Sequence, residues 1–190
     1  MRAVVRRFLV YSVVLLAGCS TQPSSTQTVV PTAIAPCAAD NTMSPQELEA
    51  VADLQRSVQS APLYATSAAH ADVETCHVGY ASGVITMEYR FRDGSSLRVK
   101  RDSRIEYNDQ QARIASPLAE DPVTILTRAE QTAFGANGCG IDWKQSETQP
   151  TEDDPNASDT VFRGDVCNCQ ARVRKDRSGI VVGLALRSTC

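Results

Sequence analysis

Seven cysteines punctuate this 190-residue chain, and their placement constrains the fold more than any other feature. Cys19 follows an uncharged apolar run and stands apart from the rest. The other six, Cys37, Cys76, Cys139, Cys167, Cys169 and Cys190, spread from the end of a polar stretch to the last residue. An even set over that span reads as three disulfides in an oxidising compartment, with the pairing left open by spacing alone. Each bridge contributes about 2–4 kcal/mol by restricting the unfolded chain. A bridge at Cys190 pins an end that ordinarily frays.

The compartment is read from the amino terminus. Arg2, Arg6 and Arg7 precede the uncharged run from Phe8 to Leu16. A helix needs about 20 residues to span a bilayer, so this run is too short, but it has the proportions of a signal-peptide core. The stretch Leu16-Ala17-Gly18-Cys19 then resembles the lipobox of bacterial lipoproteins. The resemblance ends there and implies location rather than activity. It implies that residues 1–18 are a signal peptide, that Cys19 becomes the first residue, and that Cys19 carries the lipid. Several acyl chains attach a protein stably where one gives only marginal binding. In Gram-negative lipoproteins of the enteric type an aspartate after the cysteine retains the protein in the inner membrane. Ser20 stands there instead, which implies an outer-membrane protein facing the periplasm.

Without residues 1–18 the chain keeps 172 residues, with 16 basic and 22 acidic side chains, for a net charge near −6. That balance excludes a polybasic surface for nucleic acid, and the scarcity of Trp, Tyr and Phe excludes a stacking platform for bases. Residues 19–36, rich in Ser, Thr and Pro, read as a flexible tether. Residues 37–190 read as a single domain.

Within that domain, "SPQELEAVADLQRSVQ" predicts a helix. Ser44 caps it, Pro45 opens it, Glu47 completes a capping box, and Pro62 ends it. Leu48, Val51, Leu54 and Val58 follow the helical period. Ile85, Met87, Tyr89 and Phe91 alternate with polar residues, Asp93-Gly94 supplies a turn, and Leu97 and Val99 resume the alternation, which predicts a hairpin. "SRIEYND" predicts a further strand. A second helix is expected between Asp121 and Phe134, started by Asp121 and Pro122 or, later, by a capping box of Thr127 and Glu130, and closed by Gly135 and Gly138. "KQSETQPTEDDPNASD" has no apolar period and predicts an exposed loop. The last 30 residues predict another hairpin turning in "KDRSG", with Cys167, Cys169, Ala171 and Val173 on one face. Cys167 and Cys169 are expected to reach separate partners, because strand geometry strains a bridge between them. The expected fold is α+β: a small antiparallel sheet with one or two packed helices, stapled by disulfides. An all-β domain with a peripheral helix is the alternative.

The chemistry offers little purchase. Cys167-Asn168-Cys169 lacks the CxxC spacing of thiol oxidoreductases and of paired zinc ligands. His70, Glu74 and His77, in "HADVETCH", are the candidate metal ligands, although the pattern is not HExxH. There is no GxSxG elbow and no phosphate-binding glycine loop, so no catalytic residue is named and no cofactor is expected. The expectation is a non-enzymatic lipoprotein, held to the bilayer through acylated Cys19, that binds an envelope protein or supports an envelope assembly. A small envelope enzyme or metal-binding protein using the His70–His77 region is one alternative, and a periplasmic inhibitor or immunity protein is another.

Overall fold

In the helix α1, Pro45–Gln59, the capping box forms as the sequence indicates: Ser44 Oγ accepts from Glu47 N, and Glu47 Oε2 accepts from Ser44 N at 2.7 Å. These bonds satisfy two otherwise orphaned backbone donors, a contribution of about 1 kcal/mol. Val51, Leu54 and Val58 form its buried stripe, while Leu48 is exposed. Pro62 does end α1, but it also opens a second short helix, α2, Pro62–Ser67, since its fixed φ suits a first helical position. The third helix, α3, Pro122–Phe134, is capped by Asp121, which accepts from Thr124 N, and stops at Gly135, whose φ of +80° suits glycine.

These elements come from a computed structural model that describes residues 37–39, 42–102, 107–135, 138–151 and 154–189. Cys19, the tether and Cys190 lie outside the described residues. The fold is α+β. Its sheet has nine strands: β1 (Ala38–Ala39), β2 (Val73–Ala81), β3 (Val84–Phe91), β4 (Ser96–Asp102), β5 (Tyr107–Arg113), β6 (Glu147–Pro150), β7 (Ala157–Arg163), β8 (Gln170–Asp176) and β9 (Val181–Thr189). The spatial order is β1-β2-β3-β4-β5-β9-β8-β7-β6. All neighbours are antiparallel except the β1–β2 pair. Two four-stranded meanders, β2–β5 and β6–β9, thus each follow a helix and join edge to edge through β5 and β9.

One sheet face is covered. Helix α2 packs on β4 and β5, and α3 on β8 and β9. Between the layers lie Leu63, Met87, Tyr89, Phe91, Leu97, Leu126, Leu184 and Leu186, all at most 1–2% exposed. Each such side chain contributes about 1.5–3 kcal/mol by burial. The Tyr64 ring meets Tyr89 and Phe91 edge-on, with centroids 5.2 and 5.8 Å apart. Burial pushes both tyrosine hydroxyls up from their ordinary pKa.

Several sequence expectations change. The polar stretch at 144–159 is not an open loop, because it supplies β6 and the start of β7. Asp159 there is only 3% exposed and ion-paired. Of the strand expected in "SRIEYND", residues 107–109 are strand and continue to Arg113, while residues 103–106 lie outside the described residues. "DVETCH" is mostly strand β2, and a bulge at Glu74 sets Val73 and Cys76 both opposite the inward residues Phe91 and Tyr89. Cys167 and Cys169 do not lie on a strand face, because Cys167 and Asn168 have φ of +57° and +45° and break the alternation before β8 begins.

Two bridges are fully described. Cys37–Cys76 ties the start of the domain to β2, and Cys139–Cys169 ties the loop after α3 to the start of β8. Cys167 is disulfide-bonded as well. Beside Cys139, the buried Glu130 carboxylate accepts from Cys139 N at 2.8 Å, Ile141 N at 3.3 Å and Trp143 Nε1 at 3.2 Å. Gly138 is required there: a Cβ on it would stand 2.6 Å from Glu130 Oε1, and its φ is +59°. Among the described residues no helix is long and apolar enough to cross a membrane.

Candidate functional site

The face of the sheet away from the helices is open and forms a trough of about 730 Å³ across β4, β5, β9, β8 and β7. Alternation along the strands builds its lining, since residues two apart share a face. The register sets out three rows. Ser96, Arg113, Gly183, Arg174 and Asp159 form one row across five strands. Arg98, Gln111, Ala185, Arg172 and Val161 form the next. Lys100, Asp109, Arg187, Gln170 and Arg163 form the third. The middle strand thus offers Gly183 and Ala185, the smallest residues in the rows, between strands bearing arginines. A bulge where Lys175 pairs Val181 and Arg174 pairs Gly183 leaves Val182 extra, and such irregularities re-aim side chains beside binding sites.

Five arginines and four aspartates line the trough. The Arg174 fork donates to Asp159, with Nε–Oδ1 2.9 Å and Nη2–Oδ2 3.2 Å. Arg172 donates through Nε and Nη2 to Gln170 Oε1 and stands 3.9 Å from Asp159. Arg98 pairs with Glu88 at 3.2 Å, with both side chains near half exposed, so that pair adds little stability. Gln111 Nε2 donates to both oxygens of Asp109. Asp176 is held below its ordinary pKa, first by the Ser178 hydroxyl and then by the Ile180 amide. The Arg113 guanidinium has no ion-pair or hydrogen-bond partner among the described residues.

The sequence-derived metal candidates are not brought together. His70 lies after α2, and Glu74 and His77 lie on β2, all exposed. Cys76 is occupied by its bridge to Cys37. Among the described residues no three His, Cys, Asp or Glu side chains cluster closely enough to hold a metal ion. Neither imidazole has a hydrogen-bonded partner among the described residues, so neither is paired with a nucleophile there. A smaller hollow of about 370 Å³, mostly apolar, lies between α2, α3 and residues 114–120, with His70 on its rim.

Sequence reasoning missed the trough. Its residues come from five strands that pair across up to 82 positions of sequence, and only the hairpin partners were visible locally. The available signal was the alternation of arginines in "QARVRKD" and "LRVKRD", which marks a charged strand face without showing that two such faces join. Comparisons with protein-family models, with curated proteins and with solved structures return no match, so the functional reading rests on the chain's own geometry.

Proposed function

We propose that this chain is a lipid-anchored binding protein of the cell envelope, held through acylated Cys19 and engaging its partner with the open face of the sheet. The observation that carries the binding role is the trough itself: a cavity lined by charged and amide side chains, with small residues along its floor. Such a surface recognises by hydrogen bonding and charge, and it belongs to a domain whose apolar residues are spent on the opposite face. The lipobox resemblance supports the anchor, and the Ser20 reading supports the outer membrane.

Two measurements test this function. In cells fed labelled palmitate, the protein takes up label and the Cys19→Ser variant does not; equal labelling of both contradicts the anchor. A photo-crosslinking residue at Gln111, within the trough, captures a ligand or partner in intact cells, whereas one at exposed Leu48 on α1 does not. Equal yields at the two positions contradict the sheet face as the binding surface.

A further inference from the structure

We propose that the centre of the trough binds the phosphate group of a hydroxyl-rich small molecule. This deepens the reading of the open face as a binding surface and rests on it.

The geometry points to a phosphate. Gly183 and Ala185 put no long side chain of their own on the floor of β9, and the stem of Arg174 lies beside Gly183. On one side Arg113 of β5 is in register with Gly183. On the other, Arg174 and Arg172 of β8 are in register with Gly183 and Ala185. Adjacent strands lie about 4.8 Å apart, so the two backbones that carry these arginines stand about 9–10 Å apart, with only the short residues of β9 between them. Phosphate directs oxygens toward both walls at once. A carboxylate has two oxygens on one side and engages one wall. Guanidinium groups are the donors best matched to phosphate oxygens.

The charges agree. The chain after Gly18 is acidic, near −6, yet arginines outnumber aspartates in the trough. Those four aspartates have internal work: Asp159 binds Arg174, Asp109 accepts from the Gln111 amide, Asp176 holds the Ser178 and Ile180 amides, and Asp154 holds the Asn156 amide. Arg113, by contrast, is matched by no carboxylate among the described residues. Beside the arginines, Gln111 offers its Oε1 as an acceptor and Gln170 its Nε2 as a donor, the chemistry that hydroxyl groups require. The volume, about 730 Å³, lies within the range of small-molecule sites.

A phosphate ester of this kind is supplied either by a soluble metabolite or by a phospholipid head group. Isothermal titration calorimetry on the full-length protein in detergent separates them. The probes are inorganic phosphate, glycerol 3-phosphate, succinate, and the soluble lipids dihexanoyl phosphatidylglycerol and dihexanoyl phosphatidylcholine. Saturable binding of phosphate is expected, tighter for glycerol 3-phosphate, and weakened about tenfold in Arg113→Gln and in Arg172→Gln. Ala185→Leu, which fills the floor and removes no charge, is expected to weaken it as much, with an unchanged circular dichroism spectrum. Tighter binding of dihexanoyl phosphatidylglycerol than of glycerol 3-phosphate supports the proposal with a head group as the source. The reverse order supports it with a soluble ester. No saturable binding of phosphate or its ester up to about 10 mM overturns it, as does succinate binding equal to phosphate, or wild-type affinity in both arginine variants. Crosslinking at Gln111 without phosphate binding overturns the ligand class alone and leaves the sheet face as the binding surface.

Discussion

Along β3, β4 and β9 alternate residues go to opposite faces, and the two sets differ in what they do. Met87, Tyr89, Phe91, Leu97, Val99, Leu184 and Leu186 meet the helices and are almost wholly buried. Glu88, Arg98, Gly183, Ala185 and Arg187, interleaved with them, face the open side. The covered face trades solvent for packing, so a change there costs stability. The open face holds its arginines where folding needs few of them, so a change there is expected to cost binding instead.

The largest effect that sharpens this contrast is on the covered face. Tyr89→Ala removes a fully buried ring packed on Tyr64, and is expected to cost about 3–5 kcal/mol by chemical denaturation with the bridges intact. A cost under about 1 kcal/mol would show that the core does not lie where the burial places it. Next comes Glu130→Ala, which strands the Cys139 and Ile141 amides and the Trp143 indole N–H. Its expected cost is about 2–4 kcal/mol, with Trp143 fluorescence shifted to the red. A smaller effect appears only in acid. The Ser95 amide, with the Ser95 and Ser116 hydroxyls, holds the Asp93 carboxyl below the ordinary 3.8. A carboxyl whose folded pKa is depressed stabilises the fold above 3.8 and loses that contribution as pH falls through the folded value. Asp93→Asn is therefore expected to make the acid limb of the stability curve shallower below that pH; an unchanged limb contradicts the assignment. The smallest effect is on the open face, where Arg113→Ala is expected to change stability by no more than about 0.5 kcal/mol.

Much of the covered face was legible. The alternation from Ile85 to Val99 identified β3, β4 and their inward residues, the Ser44 cap placed one helix start, and of the two starts open for the second helix the Asp121 cap is the one observed. These signals are local: a period, a cap, a turn. The polar strands β6 and β7 were not legible, because their pairing is satisfied by backbone ladders and the Asp159–Arg174 fork rather than by an apolar period. Cys167 and Cys169 resemble a strand in sequence but take left-handed backbone at Cys167 and Asn168, which residue identity alone does not signal. The trough was hidden for a further reason. Arg113 and Arg174 are separated by 61 positions and meet across Gly183 only because β9 inserts between the two meanders.

The central claim, that the open face and not the helical layer receives a phosphate-bearing ligand, is tested most directly by the arginine side chains. In ¹H–¹⁵N spectra of their Nε–Hε groups, titration with inorganic phosphate is predicted to shift Arg113, Arg172 and Arg174 along one saturable curve, while Arg56 on α1 and Arg128 on α3 stay in place. Uniform small shifts of all five, or shifts confined to Arg56 and Arg128, would contradict it.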